Sequence, residues 1–407
     1  MIELKKFSID KDFYMKEISQ IPTDPDFVQN PYHFYKNVRG IGPFVYWKDY
    51  SMVTTFDHSM TAVILKDRRF GREVPKELVK SIPQHLLPFY KNEAHSMLEL
   101  EPPAHTRLRG LVMRAFTSRR IKELEPEINV LCNQLIDKFP SNDFDLIPSY
   151  ANQIPVIVIA RLLGVPENMS NQLLKWSNDM VSMYQARRNR EIEDRAVKSC
   201  EEFVSFMNYY VEEKRNKPAD DLITHLIQAE EEGEKLSTDE LITTCILLLN
   251  AGHEATVHSI GNGVKTLLES KVNRVCLEES NIGKTIEEIL RFDPPLHMFT
   301  RYAYEDVHLE GHSFKRGDEV ALMLGAAGRD PKAWDSPEVF LPTRPIKTNT
   351  AFGGGIHFCV GAPLARLELK VGLAVLFNRC PKIKIKQVPQ YADLYHFHGL
   401  KELIVET

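Results

Sequence analysis

The chain has 407 residues, with 51 Lys+Arg against 56 Asp+Glu, a net charge of −5 and 43% hydrophobic residues. That balance is globular and excludes collagen, a coiled coil and extended disorder. The slight acidic excess also excludes a broad nucleic-acid surface, which needs a basic patch.

Six cysteines, at 132, 200, 245, 276, 359 and 380, include no C-x-x-C pair. This pattern fits a reducing cytoplasm and not a disulfide scaffold. The opening MIELKKFSIDKDF lacks the apolar core of a leader peptide. The longest apolar stretch, around 241–251, is too short for a bilayer of about 30 Å, so no membrane anchor is expected.

In chain order, residues 36–66 alternate in short runs. Val45-Tyr46-Trp47 and Met52 to Phe56 read as a strand pair across a polar turn. Residues 67–100, with prolines at 75, 83 and 88, read as an irregular connection. A helix begins near Ala104, where Leu108, Leu111, Val112 and Ala115 recur at helical spacing. Further helices are expected over about 118–138, 150–163, 167–186 and 188–214, with a break near Pro218.

The clearest helix runs from about 238 to 269. Ser237 and Glu240 form a capping box at its start, each side chain satisfying a free N–H at the other residue. It is apolar nearly all round near 245–249, so it should cross the middle of the fold. A helix at about 283–292 ends before Pro294-Pro295. Short strands follow at 300–303, 307–310 and 318–323, then a proline-containing loop over 330–351 and a last helix over about 361–378. Short alternating segments close the chain. The fold class is mainly α with small β-sheets.

The sharpest local feature is Phe352-Gly353-Gly354-Gly355-Ile356-His357-Phe358-Cys359-Val360-Gly361. As a dinucleotide fingerprint it fails, because Phe358 stands where the third glycine belongs. As a zinc site, His357 and Cys359 lack further ligands nearby. A flexible turn before a helix is the plainest reading. The other is a thiolate ligand to a haem iron. Glycines let the backbone pass close to a flat macrocycle, and a helix start favours an anionic sulfur.

This segment resembles the haem-cysteine signature of bacterial soluble cytochromes P450, F-x-x-G-x-x-x-C-x-G, matched by Phe352, Gly355, Cys359 and Gly361. Motifs from residue 101 to 361 agree with it. The resemblance implies one haem domain over 1–407, with a long central helix over haem b (iron protoporphyrin IX) and Cys359 as metal ligand in a loop before the last long helix. It implies that Glu288 and Arg291 form a buried pair completed by Arg344. It implies that His105, Arg109, Arg301 and His357 hold the haem propionates, while Arg107 points elsewhere. Phe352 and Phe358 would shield the sulfur.

In the central helix, Ala251, Gly252 and Glu254 match the family's oxygen-binding segment. Ala255 stands where a proton-relay threonine is usual, with Thr256 one step later, about 100° around the helix. Glu254 with water, and Thr256 as an aid, would then deliver protons. His253 reads as a hydrogen-bonded helix-face residue. Leu296, His297 and Met298 would line the haem edge, with Leu248 and Ala251 as pocket walls.

The implied activity is a cytoplasmic, monomeric monooxygenase. It would insert one oxygen atom from O2 into a small apolar substrate, with electrons from a separate ferredoxin and ferredoxin reductase. A thiolate-haem enzyme that oxidises, couples or rearranges without inserting oxygen stays open, as does a non-catalytic haem or ligand-binding protein.

Overall fold

The Ser237 capping box forms as expected, its hydroxyl accepting from Glu240 N and the Glu240 carboxylate from Ser237 N. It opens a helix that runs unbroken from Thr238 to Glu269. Leu241, Ile242, Cys245, Ile246 and Leu249 are buried on its first half, and Val257, Ile260, Val264 and Leu267 on its second. Helices Gln153–Leu163, Ser170–Val181, Arg190–Asn216 and Ala362–Arg379 pack around it, which makes it the axis of the main apolar core. The computed structural model describes residues 15–229 and 235–407. The amino-terminal stretch read for a leader lies outside them.

A six-stranded sheet flanks the helical body. Its order is Glu17–Ile18, Val45–Trp47, Met52–Thr55, Glu319–Met323, Met298–Ala303 and Phe70–Gly71. Val45–Trp47 and Met52–Thr55 pair antiparallel, as their alternation implies. Met52–Thr55 then lies parallel to Glu319–Met323, with Val53 opposite Val320. Two smaller apolar clusters fill the two sides of this sheet.

The structure departs from the sequence reading in places with physical causes. The stretch 67–100 contains a helix, Leu87–Glu93, with Pro88 in its first turn, where a missing N–H costs nothing. The expected helix over 118–138 is two, Ser118–Glu123 and Glu125–Ile136. Pro126 cannot donate to the preceding turn, so the chain restarts there. Two short helices, the end of Pro31–Arg39 and the whole of His58–Ile64, fall in the 36–66 stretch read as alternating. Asp57 caps the second by accepting from Ser59 N and Met60 N. Among the described residues, no helix is long and apolar enough to cross a membrane.

Candidate active site

The cysteine loop is a tight turn laid against the helix start at Ala362. Cys359 N donates to Phe352 O at 3.1 Å, and Gly353 N to Thr350 O at 2.9 Å. Gly355 has φ +65°, and a Cβ there would lie 2.3 Å from the Leu65 carbonyl oxygen. Only glycine fits on both counts. A Cβ on Gly361 would meet only Cys359 Sγ, at 3.8 Å, so that position has room.

Burial pushes the Cys359 thiol up, while the backbone N–H groups of Gly361 and Ala362 and the charges of Arg109 and Arg366 pull it down. The net direction is upward, so the helix start alone does not ionise this sulfur. A metal ion bonded to it removes the proton outright. Phe352 lies beneath the Arg366 guanidinium, 4.5 Å from the ring centre. Phe358 is 36% exposed, so the aromatic cover is one-sided.

The four residues expected at the propionates come from three segments. His105, on helix Ala104–Ala115, is buried, and its ring centre lies 4.4 Å from that of His357. Arg109, one turn on, donates to Phe358 O at 2.7 Å, beside the sulfur. Arg301, on strand Met298–Ala303, is 2% exposed, and burial lowers its pKa to about 10. Burial and the charges of His357 and Arg109 lower His105 to about 4. Its Nδ1 is buried without a hydrogen-bond partner. Arg107 turns away to pair with Glu240, as expected.

One member of this group is absent from the sequence reading. Glu101 Oε1 accepts from Arg72 N at 2.7 Å and lies 2.9 Å from His357 Nε2. The acid directly before Pro102-Pro103 was the available signal.

The central helix is open at one place. Ala251 is exposed and Asn250, Gly252, Glu254 and Ala255 are half-buried, between two runs, 241–249 and 256–264, in which every residue but Leu247 is buried. A Cβ on Gly252 would meet nothing within 4 Å. Glu254 Oε2 lies 3.3 Å from His258 Nε2, one turn on. Burial raises the Glu254 carboxyl, but the contact with His258 and the charges of His258 and His253 outweigh it and hold it below the usual value. Thr256 is buried. His253 is not the hydrogen-bonded residue expected: both ring nitrogens lack partners, and burial holds it down at about 4.

His297 departs as well. It is 0% exposed, and its Nδ1 lies 2.9 Å from Tyr35 Oη. Its ring is therefore turned into an aromatic cluster. Met298 is buried in the neighbouring core, while Leu296 is half-buried and bridges to Phe397.

The Glu288 network is complete. Glu288 accepts two bonds from Arg291 at 2.7 Å, one from Arg344 Nε at 3.0 Å and one from Leu341 N at 2.8 Å. Arg291 also donates to Gly328 O and Pro337 O. The pair thus ties helix Ile282–Phe292 to the loop that leads to Cys359. Beside that loop lies a groove of about 560 Å³, lined in part by Lys347, Phe352, Phe358, Arg366 and Lys370.

A thiol at a loop, an orphaned His105 nitrogen, clustered cations and a bare glycine on an accessible helix face suit a flat macrocycle bearing two carboxylates. The comparisons with known proteins agree. The family model for cytochrome P450 matches residues 23–279 and 282–390. The polyketide biosynthesis cytochrome P450 PksS of Bacillus subtilis is 35% identical over 387 residues, 93% of this chain and 93% of its own. The biotin biosynthesis cytochrome P450 of the same organism is 33% identical, covering 95% of this chain and 99% of its own. The crystal structure of P450BioI with a hexadec-9Z-enoic acid-ligated acyl carrier protein superposes with a TM-score of 0.88 at 32% identity, over 94% of this chain and 99% of that one. This chain therefore belongs to the cytochrome P450 family, and it is a haem b monooxygenase that uses dioxygen to oxidise a small substrate.

Proposed function

We propose that the chain is a cytoplasmic enzyme that inserts one oxygen atom into an apolar acyl- or polyketide-like molecule, with Cys359 Sγ as the protein ligand to iron. The observation that carries this reading is the placement of the Cys359 thiol beside Arg109 in a loop held by Gly355. The substrate class rests on relatives named for polyketide biosynthesis and solved with a fatty acyl carrier. Bound haem supplies the iron that activates dioxygen.

The chain's own residues do the rest. His105, Arg109, Arg301 and His357 hold the propionates by charge and hydrogen bonds. Phe352, Gly355 and Gly361 shape the loop around the sulfur, and Phe352 excludes water from it. Ala251 and Gly252 let the helix backbone approach the substrate space. Glu254, as a carboxylate, accepts a proton and relays it inward with water, and Thr256 steadies that water. Ala255 offers no hydroxyl at the position where one is usual.

The electron donor is a separate ferredoxin, reduced by its own reductase. It docks at the groove beside the cysteine loop, which Lys347, Lys370 and the Arg366–Glu287 pair line. Such a face steers an acidic partner. Reconstitution with NAD(P)H, ferredoxin reductase, ferredoxin, labelled dioxygen and a panel of acyl substrates tests the whole reading. One labelled oxygen atom in the product, at a rate that falls as salt is added, is the expected result. Oxidised product without label removes the insertion step, and a salt-independent rate removes the docking face.

The Ala255 substitution has a measurable consequence. Ala255→Thr is expected to raise product formed per NAD(P)H consumed and to lower hydrogen peroxide release, because a hydroxyl is restored to the relay. Equal, near-complete coupling in both proteins would show that Ala255 carries no handicap.

A further inference from the structure

Away from the cysteine loop, a second set of ligand-type side chains is buried. Asp293 follows helix Ile282–Phe292, His297 precedes strand Met298–Ala303, and His398 lies in the carboxy-terminal region. One ligand-capable atom of each lies within 4.8 Å of the others, and all three are buried. Their neighbours, Tyr32, Tyr35, Tyr391 and Tyr395, are not those of Cys359.

Hydrogen bonds account for most of this cluster, but not for all of it. Tyr32 Oη donates to Asp293 Oδ1 at 2.7 Å and lies 3.3 Å from His297 Nε2. Tyr391 Oη donates to Asp293 Oδ2. His398 Nε2 is left buried with no hydrogen-bond partner, aimed at Asp293 Oδ1 from 3.4 Å. The Arg329 guanidinium lies over the Tyr32 ring, 3.6 Å from its centre. A buried nitrogen without a partner is costly.

We propose that Asp293, His297 and His398, with Tyr32 Oη as the fourth donor, form a buried structural zinc site separate from the haem. Zinc takes nitrogen and oxygen ligands at about 2.0–2.2 Å, so adjacent corners of its tetrahedron stand about 3.3–3.5 Å apart. The Asp293–His398 and Tyr32–His297 separations have that spacing, while Tyr32 Oη and Asp293 Oδ1, hydrogen-bonded at 2.7 Å, would have to part as the ion enters. The ion would give His398 Nε2 its missing partner and neutralise Asp293.

The surrounding groups hold the ligands as outer partners of metal sites do. Tyr35 Oη engages His297 Nδ1, turning Nε2 toward the cluster, and is itself bonded to Tyr395 Oη at 2.7 Å. A Cβ on Gly325 would lie 2.9 Å from His297 Nδ1, so the ring is wedged in place. His398 stacks on Tyr391 with ring centres 3.7 Å apart. The ion would join the amino-terminal helix Pro31–Arg39, the end of helix Ile282–Phe292 and the carboxy-terminal region at one point.

The test uses tag-free, haem-loaded protein made in zinc-supplemented medium. Elemental analysis should give one zinc per chain beside one iron, with no fluorescence from zinc porphyrin. Asp293→Asn and His398→Gln should lose that zinc while keeping the haem spectrum. If either variant fails to fold, anomalous diffraction from wild-type crystals at the zinc edge decides, with a peak expected between Asp293 and His398. Iron as the sole metal of the wild type overturns the proposal, as does zinc located elsewhere or zinc retained by a folded variant.

Discussion

Cys359→Ser is expected to abolish the red-shifted Soret band of the reduced carbon monoxide complex and to bring product formation down to background. The serine hydroxyl is not an anion near neutral pH, and it lacks the soft sulfur that donates electron density to iron. The fold should survive, because the loop is held by backbone bonds such as Cys359 N to Phe352 O and by the Gly355 turn, not by the sulfur. Far-ultraviolet circular dichroism of the variant checks this. A red-shifted band that persists in Cys359→Ser would move the ligand to another residue and remove the proposed site.

The second large effect falls on stability. Glu288 is 2% exposed and its partner Arg291 1%. Glu288→Ala leaves two guanidinium groups and the Leu341 N–H without their acceptor. Removing one partner of a buried pair costs about 3–5 kcal/mol, against a total of about 5–15 kcal/mol for a folded domain. The variant is therefore expected to unfold at far lower denaturant concentration and to be purified with little haem. Glu123→Gln, which breaks only the exposed pair with Arg119, should leave the midpoint where it is. A Glu288→Ala protein with wild-type midpoint and haem content would make the network dispensable.

How much of this was readable in advance depended on how local the signal was. The central helix was read to the residue, because the Ser237–Glu240 cap and the apolar run after it lie within one stretch. Arg344 was placed as the third member of the Glu288 network by the family resemblance of its segment, and it is there. The short helix Pro31–Arg39 was missed because Tyr32, Phe34 and Tyr35 are β-favouring residues, and tertiary packing overrides that preference. Strand His312–Phe314 was missed because it rests on a two-residue turn, Glu310-Gly311, with both φ positive. His297 was the least readable. Its partners Tyr35 and Tyr395 lie far away in sequence, and no local pattern shows which way a ring will turn.

The sheet places a demand on biogenesis. Met52–Thr55 finds its parallel neighbour only in Glu319–Met323. While the ribosome is still adding the chain between them, that early strand has one open edge and must wait. Cys359 and its loop emerge later still. Haem capture is therefore a late event in the life of the nascent protein, and until then the exposed edge is a natural client for a chaperone.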